Sequence, residues 1–202
     1  MSPSDGYRYA KGEEVVNSFG ISMQLREPLD FYAVTDHGLF MGIVDDWADP
    51  SSELASISGT KPFHDINKDD NLDSYSAQKR TVLFRESFGR LAAEQAGFFA
   101  KAKAFFSGNV LDATVGYDND LHLSAWREAI EAAELHNDPG EFTAFIGYEW
   151  TSSTPLPQRA AYHRNVIFRG SSAPKRPFTR YDDHEPEGLW GWQDKLRALG
   201  AD

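Results

Sequence analysis

The order of predicted elements places this chain in the α/β class. Three observations carry that expectation: strand-like segments at 29–35, 142–150 and 163–170, helical segments between and after them, and strong turn chemistry at the junctions. Three strands are too few for a complete parallel sheet in 202 residues, and the last helix ends where another strand is expected. The expectation is one partial domain over 1–202, a fragment of a longer domain, with no internal repeat.

The elements follow in order. Ser2-Pro3 with Asp5 behind them supplies a Ser N-cap, a proline at the first helical position and acid in the first turn, so a polar helix is predicted through Tyr7, Ala10 and Val15 to about Asn17. The dense apolar run at 29–35 suits a strand covered on both faces, as in parallel sheets. Residues 38–47 form a loop or short helix. Residues 49–76, with SSELASISGT and DINKDDNLDSYS, are expected to be an irregular insertion. A long helix is predicted over 77–106, packing Leu83, Phe84, Phe88, Leu91, Phe98 and Phe99 on a sheet. A second runs over 124–135 with Trp126, Ile130 and Ala133 as its apolar stripe. Asn137-Asp138-Pro139-Gly140 is a turn, FTAFIGYEW a strand, HRNVIFRG the next strand, and 186–199 an amphipathic helix.

Composition narrows the function. The net charge is −11, from 20 basic and 31 acidic residues, which repels phosphate backbones and anionic lipid and disfavours nucleic-acid binding. The absence of cysteine removes disulfides, thiolate metal sites and a thiol nucleophile, and leaves the compartment open. No apolar run reaches the roughly 18 residues of a membrane helix, and MSPSDGYRYAKG lacks the apolar core of a signal peptide.

Of six histidines, His37 and His163 lie at strand edges. Asp36 and His37 follow the 29–35 strand directly, and Glu149 closes the otherwise apolar 142–148 run, where a carboxylate is costly without water, a cation or a metal. If the 142–150 and 163–170 strands pair antiparallel, Glu149 and His163 face one rim, so two strand ends and one strand start converge on Asp36, His37, Glu149 and His163. Nitrogen and oxygen donors of this kind suit Zn²⁺, Mn²⁺ or Fe²⁺, which would activate water and polarise a phosphoryl or carbonyl oxygen. The structural alternatives are turn chemistry at Asp36-His37-Gly38, an ion pair of Glu149 with Arg164 or Arg169, and a capping or surface role for His163. His64 and His184 fall in predicted loops, and His122 and His136 flank a helix as capping or exposed groups. The Asp65-x-Asn67-x-Asp69 run begins like a calcium loop, but Asp70 stands where glycine is needed and Ser76 where glutamate is needed.

The stretches YRYAKGEEV (7–15), LREPLDFYAVTDH (25–37), FTAFIGYEWTS (142–152), HRNVIFRG (163–170) and RPFTRYDDHEPEGLWGWQ (176–193) together make the chain resemble a bacterial family catalogued as domain of unknown function 3604. LDFYAVTDHG also looks like the second motif of the polymerase-and-histidinol-phosphatase (PHP) metallohydrolases. This resemblance implies a distorted β/α barrel, partial and incomplete in this chain, with two or three divalent metals at its strand ends. It implies His37, Glu149 and His163 as metal ligands, Glu149 bridging, and Asp36 orienting the site or touching metal. The superfamily's first His-x-His strand has no match here, and its later motifs would lie beyond Asp202. The function expected of the longer parent is therefore metal-dependent hydrolysis of a small anionic substrate, a phosphate ester first, with Arg164 or another basic rim residue holding the anion; the isolated chain would be inactive. The alternative is a non-catalytic binding domain that has lost its metals.

Overall fold

The computed structural model describes residues 1–17, 20–66, 118–153, 161–180 and 182–200, which divide between two compact units. The larger comprises Met1–Asn17, Ser22–Met41 and Leu123–Asp202, and the smaller Ser18–Ile21 and Gly42–His122. The expected helix at 77–106, and 67–76 of the expected insertion, lie outside the described residues.

In the larger unit the chain opens with α1, Pro3–Ala10. Ser2 and Asp5 form a reciprocal capping box: the Ser2 hydroxyl accepts from the Asp5 amide and the Asp5 carboxylate from the Ser2 amide. The helix was expected to reach Asn17 but stops seven residues earlier, because Gly12 at φ +82° turns the chain left-handed. Val15–Val16 (β1) then pairs antiparallel with Ser22–Met23 (β2).

Phe31–Ala33 (β3) pairs in parallel with Thr143–Phe145 (β4), Tyr32 opposite Ala144. This is the parallel pairing an α/β chain requires, but the expectation of a strand covered on both faces fails. Phe31 is 65% and Tyr32 36% exposed. Their rings find edge-on partners in Phe145 and Tyr7 instead of an enclosing layer.

The single strand expected over 142–150 serves two sheets in turn. Its ladder with β3 lapses at Ile146, and Gly147–Ser153 (β5) then pairs antiparallel with Ala161–Ile167 (β6), Glu149 opposite Asn165 and Thr151 opposite His163. Glu149 therefore sits inside a strand that continues four residues beyond it, not at a strand end. Alternation is clean along β5. Tyr148, Trp150 and Ser152 are buried, while Glu149 and Thr151 turn to the open face.

The buried face packs on Asn119–His136 (α3), which begins five residues before the predicted start at Ser124. Asp118 caps it, its carboxylate accepting from the Leu121 amide. Trp126 meets Tyr148 edge-on at 5.7 Å and Phe168 at 6.2 Å, and its indole N–H donates to the Pro174 carbonyl at 2.7 Å. The predicted stripe is real: Trp126 and Ala133 are fully buried and Ile130 packs beside them. The last helix, Pro186–Ala198 (α4), adds Leu189 to this core and sets Trp192 against Phe178 at 5.3 Å, the rings tilted by 30°. The turn at 137–140 forms as expected, with Gly140 at φ +101°.

In the smaller unit Ile43–Ala48 (α2) and two 3₁₀ turns, Leu54–Ser56 and Ser58–Phe63, enclose Trp47 and Phe63, 5.3 Å apart. Thr60 is buried with its hydroxyl directed at the Leu54, Ala55 and Ile57 carbonyls. Two histidines depart from expectation. His64 is half-buried with Nε2 3.1 Å from the Ala55 carbonyl, and His122 is buried at 1% exposure rather than capping or exposed.

Among the described residues the architecture is mixed α/β, with three two-stranded sheets and no closed barrel. Among those residues no helix is long and apolar enough to cross a membrane.

Candidate functional site

The open face of the β5–β6 hairpin is where the chemistry gathers. Antiparallel register puts Glu149 and Asn165 side by side, then Thr151 and His163, all four on one face. Glu149 reaches diagonally to His163, whose Nδ1 lies 2.5 Å from Oε1. The third member arrives from a different part of the chain. Beyond β3 the backbone runs parallel to β5: the Glu149 amide donates to the Asp36 carbonyl and the Gly38 amide to the Glu149 carbonyl, both at 2.8 Å. These two bonds bracket His37 and aim its ring across the hairpin. Its Nδ1 stands 2.8 Å from Glu149 Oε2 and 2.7 Å from Thr151 Oγ1.

Gly38 makes that close approach possible. A Cβ there would lie 2.7 Å from Cδ2 of the buried Tyr148 ring. The Asp-His-Gly sequence is thus more than a turn: its last residue lets the backbone approach the Tyr148 ring closely while the exposed histidine reaches Glu149 and Thr151.

One carboxylate is therefore held between two imidazoles, one on each oxygen, with ring centroids 5.8 Å apart. The side chain of Glu149 is 18% exposed, against 55% for His37 and 53% for His163. The anion lies deeper and the imidazoles form the rim. Each of the three offers a ligand atom within 4.8 Å of the others. Two nitrogen donors and one carboxylate are an appropriate set for Zn²⁺, Mn²⁺ or Fe²⁺. Two donors bonded at about 2.1 Å stand about 3.4 Å apart around a tetrahedral ion. The present 2.5 and 2.8 Å are hydrogen-bond separations, so the donors fit a cation after opening by under about 1 Å, which half-exposed rings allow.

The other two residues singled out in the sequence behave differently. Asp36 contributes its backbone carbonyl to the Glu149 amide. Burial pushes its carboxyl above the usual aspartate value, against the opposing pull of His37 and the amino terminus. Arg164 lies on the opposite face of β6 from His163, across from buried Trp150. Its guanidinium donates to the His163 carbonyl at 2.9 Å and stacks over Tyr162. It is not brought to the cluster.

Thr151 is the residue that sequence reasoning missed. The available signal was period two: in EWTS, a residue two positions beyond Glu149 shares its face. Away from the cluster, His136 tethers α3 to α1, with Nε2 2.6 Å from the Ser4 hydroxyl and its ring stacked on Tyr7. Desolvation, assisted by Lys11, holds its imidazole below the ordinary histidine value.

Fold and site together define an α/β protein with an outward-facing His/Glu/His donor cluster. The chain belongs to the family described as Protein of unknown function (DUF3604), whose model matches residues 1–202. No curated protein and no solved structure matches it.

Proposed function

We propose that this protein is a metal-dependent hydrolase of PHP type that acts on small phosphate esters. The observation that carries the proposal is the convergence of His37, Glu149 and His163 from three separate strand segments onto one open face. A bound divalent cation would supply Lewis acidity toward a phosphoryl oxygen and lower the pKa of a water molecule. The protein's own groups have distinct tasks. His37 and His163 hold the cation from the rim, and Glu149, lying deeper, neutralises part of its charge. Thr151 and Asn165 flank the donors and offer hydrogen bonds to substrate oxygens. The exposure of both imidazoles admits a small anion to the cluster. Arg164 supports the His163 backbone rather than gripping substrate. The barrel belongs to this proposal too, and the parallel pairing of β3 with β4 supports it.

The test is metal analysis and Zn²⁺ and Mn²⁺ titration of the full chain, followed by a panel of phosphomonoesters and phosphodiesters. Wild type should bind metal and turn over at least one ester class, and His37→Ala and Glu149→Ala should lose both properties. Retention of metal and activity in those variants would sink the assignment. Tight metal binding with no turnover on any ester would instead mark a binding domain.

A further inference from the structure

We infer that the Thr151 hydroxyl is a fourth donor of this centre, an oxygen that joins His37, Glu149 and His163 and turns the set toward oxygen-seeking cations such as Mn²⁺. This rests on the metal-dependent reading above. It adds one ligand, and with it a preference among metals that three donors alone leave open.

The distances carry it. Both imidazoles turn Nδ1 inward, His37 to Glu149 Oε2 at 2.8 Å and His163 to Oε1 at 2.5 Å. Thr151 Oγ1 stands 2.7 Å from the same His37 nitrogen. By the separation that admits Glu149 to the donor set, Thr151 qualifies equally. An opening of under about 1 Å brings either oxygen to the spacing of two donors on one ion. A threonine hydroxyl can give a lone pair to a cation while its O–H still donates to another oxygen, as the P-loop hydroxyl does on Mg²⁺.

The placement is built into the fold. Thr151 sits two residues beyond Glu149 on β5, so its side chain stands on the same face, and it is directly opposite His163. His37 is bracketed beside Glu149 by the two backbone bonds to Asp36 and Gly38, which brings its ring within reach of the next same-face position. That position is Thr151, whose β-branched side chain has few rotamers to choose from.

Two imidazoles and one carboxylate suit Zn²⁺, Mn²⁺ and Fe²⁺ alike. A neutral hydroxyl tips that balance. Zn²⁺ takes thiolate, imidazole and carboxylate in four-coordinate sites, whereas Mn²⁺ gathers oxygen donors.

Two measurements on the full chain test the inference. The first is Mn²⁺ and Zn²⁺ affinity by chelator competition. Thr151→Val keeps the branched shape without the oxygen; it should bind Mn²⁺ about tenfold or more weakly and Zn²⁺ within about threefold of wild type. Thr151→Ser keeps the oxygen and should bind Mn²⁺ within about threefold of wild type. The second reads ligation directly. The protein has no cysteine, so in Thr151→Cys a thiolate-to-Co²⁺ charge-transfer band reports coordination from position 151 alone, and it should appear on Co²⁺ addition. Unchanged Mn²⁺ affinity in Thr151→Val, an equal loss of both metals there, or Co²⁺ uptake by Thr151→Cys without the band overturns the fourth donor and leaves the three-donor centre standing. Uptake of neither Mn²⁺ nor Zn²⁺ by wild type overturns the metal reading and the fourth donor with it.

Discussion

Replacing Gly38 by alanine isolates the packing that presents His37. The added Cβ would stand 2.7 Å from Tyr148 Cδ2 and 3.2 Å from Cε2. Ordinary carbon contacts are about 3.5–4.0 Å, so the ring or the backbone must retreat by about 1 Å. Neither has room. Tyr148 is fully buried and lies edge-on to Trp126, and the Gly38 amide is tied to the Glu149 carbonyl at 2.8 Å. Overpacking of this kind costs about 1–3 kcal/mol. At about 2–4 °C per kcal/mol for a chain of this size, Tm should fall by about 2–12 °C. Strain relieved by moving the 36–38 segment off β5 would carry His37 away from Glu149 and Thr151, so on the metal reading proposed above Zn²⁺ affinity should fall by about tenfold or more. The assay pairs thermal unfolding with Zn²⁺ titration of Gly38→Ala. A Tm within about 1 °C of wild type, together with unchanged affinity, would refute the claim that this close approach holds the site.

Two further outcomes test the scaffold. Tyr7 is buried with its hydroxyl donating to the Phe145 carbonyl at 2.8 Å and accepting from the Val34 amide at 3.3 Å, joining α1 to β4 and to the residue that follows β3. Tyr7→Phe leaves those two backbone groups without that partner and should cost about 1–3 kcal/mol in urea unfolding; a cost below about 0.5 kcal/mol would show that the bonds do not matter. Burial also pushes the phenols of Tyr7 and Tyr148 above the ordinary value of 10.0. Above pH 10 the unfolded chain releases these protons while the folded chain keeps them, so the native state binds more protons and its stability falls as pH rises; below pH 10 the effect is absent. Urea midpoints measured upward from about pH 9 should fall past pH 10, less steeply in Tyr7→Phe, and a flat profile to about pH 11 would contradict this account.

Local chemistry made much of the fold legible. The Ser2-Pro3-Asp5 start, the Asn137–Gly140 turn and the helix at the C-terminal end were readable because caps, prolines and glycines act within a few residues. The stripe of Trp126, Ile130 and Ala133 followed from helical spacing alone. The errors lie where non-local pairing decides. The end of α1 was misplaced because Val15 continues an apolar pattern that a helix and a strand both accept; Gly12 and the pairing of Val15 with Met23 settle it. FTAFIGYEW was one strand in sequence, and nothing local marks Ile146 as the point where partners change.

The candidate site divides in the same way. The sequence by itself singled out the candidate residues: an acid and two histidines attached to predicted strands, in a chain of net charge −11 and without thiols. Tertiary structure alone decided which of them meet. It placed Glu149 within β5 rather than at its end, turned Arg164 to the other face, kept Asp36 as a backbone partner, and set Thr151 beside His37. The physical reason is that side-chain direction on a strand reverses with each residue, so a cluster depends on register across chains far apart in sequence. Residue type is written locally; register is settled only when the strands pair.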